Sequence, residues 1–256
     1  MIDLTITGDV AHVVLNAPEK RNALDAQALM DLGAAYDEAE AASVRALVLR
    51  GRGRGFCAGR DIAGVDPATD DVVGFLDGLV TPLLQKMSQF PAPTFAAAHG
   101  ACLGVGLGLL IATDVVYVAS DAKIGSPFAA LGATLDSGGH ALFYERLGAH
   151  KTLDLIYTGR LMTGAEAVQS GLFSQVLPAA ELRAATEDAA SRAARGATQA
   201  FLASKRLVAR LRDERLALWD AVAAENVSQA SLRDTIDYRE GFAAFQQKRK
   251  PDFSGR

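Results

Sequence analysis

Two glycine-rich segments, each following a short apolar run, constrain this chain more than any other feature. Val44–Leu49 reads as a buried strand and is ended by Gly51-Arg52-Gly53-Arg54-Gly55-Phe56-Cys57-Ala58-Gly59-Arg60-Asp61-Ile62. Thr94–Ala98 reads the same way and runs into Gly100-Ala101-Cys102-Leu103-Gly104-Val105-Gly106-Leu107-Gly108. Glycine lets a backbone N–H face a ligand without a Cβ in the way. Neither segment is a Walker loop, since no Gly-Lys-Ser/Thr follows. Neither is a dinucleotide fingerprint: no helix follows the first at once, and the second spaces its glycines G-x-G-x-G. Two readings stay open: tight turns with close helix–sheet packing, or paired loops aiming two N–H donors at one oxygen, the second at a helix N-terminus where the dipole helps.

Strands alternate with helices around these segments. Leu4–Thr7 and Ala11–Leu15 read as strands hinged at Gly8-Asp9, and a helix follows from Asp25, with Leu29, Leu32, Ala35 and Tyr36 at helical spacing. A helical stretch over about 71–89 is broken by Pro91 and Pro93; the pattern then gives an apolar helix Leu103–Ala112 and a strand Val115–Ala119. This alternation predicts crossover units and a layered α/β fold. Beyond Pro127 the chain reads as mainly helical, with candidates at Ser137–Leu147, Lys151–Tyr157, Gly164–Ser170, Glu181–Ala194, Thr198–Leu211, Glu214–Gln229 and Thr235–Gln246. No low-complexity linker divides the chain; residues 1–196 read as the core and 197–256 as an Ala-rich, amphipathic helical region that docks on the core or on a neighbouring subunit.

Composition removes several function classes. With 256 residues, half of them apolar, the chain supports one sizeable core without staples. Its 26 Lys+Arg against 30 Asp+Glu leave a net charge of −4, and no basic stripe marks a nucleic-acid binder. Cys57 and Cys102, its only cysteines, have neither disulfide-scaffold nor metal-ligand spacing. The apolar window Ala101–Thr113 is too short to span a bilayer, and the N-terminus lacks the basic and long apolar regions of a signal peptide. The expectation is a soluble cytoplasmic protein that uses no metal and no membrane.

The two glycine segments, with Lys20-Arg21-Asn22-Ala23-Leu24 upstream, resemble the crotonase (enoyl-CoA hydratase/isomerase) superfamily. The resemblance spans essentially the whole chain and includes Ser120-Asp121-Ala122-Lys123-Ile124-Gly125-Ser126-Pro127, the Leu131-Gly132 turn and the terminal Phe245-Gln246-Gln247-Lys248-Arg249-Lys250. It implies an α/β crotonase (ClpP-like) fold: repeated ββα units in a spiral core, with C-terminal helices that assemble a homotrimer or a dimer of trimers. It implies an acyl-CoA thioester substrate of fatty-acid or related lipid metabolism, coenzyme A being part of the substrate and no other cofactor being used. By position, the N–H groups of Arg60 and Val105 would polarise the thioester carbonyl. Lys20, Ala58, Arg60, Asp61, Ile62, Val105 and Lys248 fall at CoA- or substrate-binding positions. The Arg60 side chain reads either as a contact to a CoA phosphate or as a surface partner of Asp61.

The sequence departs from the hydratases of that family at two positions. Their two glutamates correspond to Gly108 and Phe128, so the two acid/base groups that hydration normally needs are missing. A different carboxylate is present in Leu131-Gly132-Ala133-Thr134-Leu135-Asp136-Ser137-Gly138-Gly139, which resembles the single-aspartate isomerase branch, with its 3,2-enoyl-CoA isomerase-like and epoxyphenylacetyl-CoA isomerase-like members. Apolar neighbours such as Leu135 and Phe128 predict a raised pKa for Asp136. Asp-Ser-Gly-Gly ahead of an apolar helix also fits an N-cap. The implied activity is double-bond migration from 3-enoyl- to 2-enoyl-CoA with Asp136 as proton shuttle. The alternatives are a hydratase with non-standard acid/base groups, a ring-rearranging isomerase and a silent CoA-thioester binder. Aryl-CoA dehalogenation, which uses an aspartate at this position in the family, needs a histidine base that 71–89 lacks. The histidines and cysteines take structural readings: His99 as a strand-end hydrogen-bonder, His140 as exposed or packed on its helix, and both thiols as small packing groups.

Overall fold

A computed structural model describes residues 1–256. The chain opens with the antiparallel hairpin β1 (Ile2–Thr7) and β2 (Val10–Leu15), turned at Gly8-Asp9. Helix α1 (Ala26–Ala41) starts where the Asp25 carboxylate accepts from the Ala28 N–H, and it buries Leu29, Leu32, Ala35 and Tyr36. Strand β3 (Ala46–Gly51) leads into the first glycine loop. The 71–89 stretch is one helical run: α2 (Val72–Phe75), a π-type turn over Leu76–Val80, and α3 (Thr81–Ser88).

Strand β4 (Thr94–Ala98) follows, then a short β5 (Ala101–Leu103) and α4 (Val105–Ile111). The apolar helix expected from Leu103 is therefore a strand and a helix. Gly104, at φ +52°, breaks the chain between them, a conformation open to glycine and costly for other residues. Next come β6 (Val115–Ala119), β7 (Lys123–Gly125) and α5 (Gly139–Thr158). Inside α5, Gly148 leaves helical geometry (φ 73°, ψ 172°), which restores the two helical pieces expected there. The chain after Pro127 is not purely helical. A two-residue β8 (Met162–Thr163) precedes α6 (Gly164–Gln169), and β9 (Gln175–Leu177) precedes α7 (Ala179–Ala194), α8 (Thr198–Glu214), α9 (Leu218–Leu232) and α10 (Ile236–Gln246).

Six strands form one sheet in the order β1-β2-β3-β4-β6-β9, parallel from β2 onward, and β5-β7-β8 form a second, three-stranded sheet. The larger sheet buries both faces, as parallel strands require. Ala11, Val13, Leu15, Leu47, Leu49 and Ala96 point into the main core with α1, α3 and α4, while Val10, Ala46, Val48 and Phe95 meet Ala189, Ala190 and Ala194 of α7 on the other side. The period-2 alternation of strand side chains makes this division. The strands end at the glycine loops, so the site lies at the ends of β3 and β4.

Candidate active site

The two glycine loops are stitched to each other. Cys57 pairs with Cys102 as an isolated parallel bridge: the Cys57 N–H donates to the Ala101 carbonyl at 2.9 Å and the Leu103 N–H to the Cys57 carbonyl at 3.0 Å. Gly59 (φ +100°) and Gly104 (φ +52°) then touch, a Cβ at Gly59 falling 3.0 Å from the Leu103 oxygen. Both readings of the glycines hold at once: they allow tight packing, and that packing brings two backbone segments side by side.

The amides at this junction are free. Leu24 donates to the Gly59 carbonyl (2.8 Å) and accepts from Asp61 (2.9 Å), so Arg60 between them turns its own N–H away and gives it no partner in the chain. Val105 is the first residue of α4, where N–H groups have no intrahelical acceptor, and no side chain caps this helix.

Asp136 converges on the same turn of α4. A Cβ at Gly108 would lie 2.5 Å from Ser137 Cβ and 3.0 Å from the Ser137 carbonyl oxygen, and one at Gly104 would lie 3.0 Å from Phe128 Cζ. The two positions that lack glutamate are thus occupied by packing: Ser137 seals Gly108, and the Phe128 ring rests on Gly104. Asp136, half-buried, accepts a 2.8 Å hydrogen bond from its neighbour's hydroxyl, Ser137 Oγ. Burial pushes its carboxyl above the ordinary range, outweighing the Ser137 hydrogen bond and the positive Arg60 guanidinium, which both favour the ionised form. The N-cap alternative is not what the carboxylate does. Gly138 caps α5 without a side-chain bond, and only the Asp136 main-chain oxygen accepts, from Gly139 N–H at 2.9 Å.

The charged candidates divide. Arg60 does not pair with Asp61. Its guanidinium forks onto both oxygens of Asp70, at 2.8 and 2.6 Å, and lies 4.0 Å from the Phe75 ring centroid. The contact runs across ten residues of chain, which local sequence does not reveal. Asp61 instead meets Lys20 Nζ at 3.0 Å and accepts from the Ala63 N–H. Both sides of that pair hold Asp61 low and Lys20 high in pKa. Ala58 donates its N–H to Arg21, Ile62 is exposed, and Lys248 lies just past α10 with an exposed side chain. His99 Nε2 meets the Gly53 carbonyl at 3.0 Å, in keeping with a strand-end hydrogen-bonder, and His140 is exposed beside Thr134 Oγ1. Both thiols are buried, which raises their pKa values, that of Cys57 to about 12. No three metal-ligating side chains lie together, and no helix is long and apolar enough to cross a membrane.

One residue matters more than its motif indicates. Asn22 is fully buried at φ +56° and accepts from the Ala17 N–H (2.9 Å) while donating to the Arg52 (2.9 Å) and Gly55 (2.8 Å) carbonyls. It fastens the first glycine loop from beneath. A polar residue inside Lys20–Leu24 is the signal that carries this; its partners, about thirty residues away, carry none.

This architecture of strands, crossover helices and two abutting glycine loops is the crotonase fold. A hydratase of Bacillus anthracis superposes with a TM-score of 0.90 at 27% identity, covering 100% of this chain and 99% of that one. An enoyl-CoA hydratase subunit of Geobacillus kaustophilus gives 0.89 at 31% identity, covering 100% and 98%. The enoyl-CoA hydratase/isomerase family profile matches residues 5–256, and the chain belongs to that family. The 2,3-dehydroadipyl-CoA hydratase of Escherichia coli K12 is 33% identical over 251 residues, 96% of each chain. An enoyl-CoA isomerase/hydratase of Mycosarcoma maydis is 32% identical over 262 residues, 98% of this chain and 94% of that one.

Proposed function

We propose that this family member is an enoyl-CoA isomerase that converts 3-enoyl- to 2-enoyl-CoA with one carboxylate. The observation that carries the reading is the seal at Gly108 and Phe128: neither hydratase carboxylate position holds an acid, and Asp136, pushed up by burial, is the titratable group left at this turn of α4. In the reaction, the Asp136 carboxylate takes the C2 proton. The electron pair of the broken C–H bond moves into C1=C2, and the negative charge settles on the thioester oxygen. The free N–H groups of Arg60 and Val105 hold that oxygen, donors fixed before the charge develops. The protonated Asp136 returns its proton to C4, and the double bond closes between C2 and C3. A raised pKa suits a group that must both accept and give back a proton near neutrality.

Coenzyme A is the carrier portion of the substrate, with Lys20, Ala58, Asp61, Ile62 and Lys248 as its contacts. Exposed Phe201, Val208, Leu211, Leu218, Trp219 and Phe245 on or just before α8–α10 supply the apolar surface for the trimer. A second reading, hydration by other groups, is favoured by relatives that carry hydratase names. Ultraviolet absorbance separates the two. With a 3-enoyl-CoA, the conjugated thioester band grows in the wild type and not in Asp136→Asn. A 2-enoyl-CoA whose band decays equally fast in both proteins would overturn the isomerase.

A further inference from the structure

An arginine next to a catalytic carboxylate is a hazard, and the structure shows how this chain contains it. Arg60 contributes a main-chain N–H to the proposed hole, and it follows Gly59, which packs on Leu103 and Gly104 at the head of α4. Asp136 sits beside Ser137, which packs on Gly108. Gly104 and Gly108, the two contact points on α4, are about 6 Å apart along the helix axis. Arg60 and Asp136 thus approach neighbouring turns of α4, and the positive guanidinium favours the ionised form of Asp136. A direct Arg60–Asp136 ion pair would hold Asp136 ionised and strip it of basicity. The guanidinium is engaged elsewhere, forked onto Asp70 and resting on Phe75, with the Arg60 and Asp70 side chains 22% and 15% exposed.

We infer that Asp70 is a positioning residue that sequesters the Arg60 guanidinium, with Phe75 as its platform, so that the cation beside Asp136 does not pair with it. This rests on the isomerase reading only for its effect on rate. Of the polar side chains beside Asp136 in sequence, Ser137 is bonded to it and His140 is exposed and meets Thr134 Oγ1. Helix α4 and the Phe128–Leu131 turn bring no titratable side chain, and Lys20 and Asp61 occupy each other. Opening the fork would leave the Arg60 guanidinium without its carboxylate partner.

The test is a double-mutant cycle, with carboxyl titration by carbon NMR as a readout that needs no turnover. In Asp70→Asn the Asp136 midpoint falls by at least about one pH unit as Arg60 swings to it. The kcat for 3-enoyl-CoA falls at least about tenfold, with its acid limb moved the same way. When Arg60→Met is already present, adding Asp70→Asn changes neither. Asp70→Glu, which keeps a carboxylate for the fork, holds the wild-type midpoint. An unmoved or raised midpoint in Asp70→Asn overturns the inference. So does a rate loss of the same size in the Arg60→Met background, which would mark Asp70 as a brace for the loop alone. If the wild type turns over no 3-enoyl-CoA, the isomerase reading falls by itself and the titrations decide this one.

Discussion

Substituting Gly108 tests whether α4 holds the Asp136 segment in place. A Cβ there meets Ser137 Cβ at 2.5 Å and the Ser137 carbonyl oxygen at 3.0 Å, so the obstruction includes main chain and does not rotate away. Carbon atoms pack at about 3.5–4.0 Å, so Gly108→Ala must drive Ser137 outward by roughly 1.0–1.5 Å. Overpacking costs about 1–3 kcal/mol, and replacing a helical glycine by alanine returns about 1 kcal/mol. The net is a loss of about 0–2 kcal/mol, a fall in Tm of up to about 8 °C at this chain length. The effect on rate is larger, because about 1 Å of misplacement costs ~100-fold. Stopped absorbance assays with 3-enoyl-CoA should show kcat reduced by that factor, with affinity for coenzyme A unchanged in titration calorimetry. The comparison variant is Gly33→Ala in α1, where the nearest atoms lie 3.9 Å from the added carbon. There only the helical gain operates, and Tm rises by about 2–4 °C. If Gly108→Ala matches Gly33→Ala in Tm and keeps full activity, the contact does not position Asp136 and the argument fails.

Asn22→Ala leaves the Ala17 N–H and the Arg52 and Gly55 carbonyls without their partner and puts alanine at φ +56°, so it should destabilise by about 3–5 kcal/mol. A melt within 2 °C of wild type, roughly 1 kcal/mol at this length, would show that the loop does not hang on that side chain. Asp136→Asn should make the protein more stable at neutral pH. Burial raises the folded pKa above the unfolded one, so the stability tied to the protonated form is whole below the ordinary carboxylate range and lost as pH rises through the folded value. The variant's advantage in denaturant melts should therefore shrink as pH falls from 7.5 through the folded value, and an advantage that grows toward acid would contradict the burial argument.

The fold was legible wherever an apolar run was long enough to show its period. The strand read at 44–49 lies at Ala46–Gly51, and the helix read from Asp25 is capped by that residue. Strands of two or three residues, Lys123–Gly125, Met162–Thr163 and Gln175–Leu177, have no period to read. In the site, Asp136 and the two glycine loops were legible because each is a local pattern. The Arg60–Asp70 fork was not, since the nearer Asp61 offered an equally good charge and only the fold hands Asp61 to Lys20. The Gly108–Ser137 contact was likewise hidden: the sequence shows a glutamate missing, and the structure shows the space taken.

The Cys57–Cys102 bridge has an evolutionary consequence. It ties the two loops directly to each other through main-chain bonds, so their junction does not itself depend on the side chains at 57 and 102. A lineage can therefore exchange residues at 60, 128 and 136 without dismantling the main-chain junction of the two loops. One inherited grip with interchangeable acids and bases is a route by which a single ancestral scaffold yields hydratases and isomerases alike.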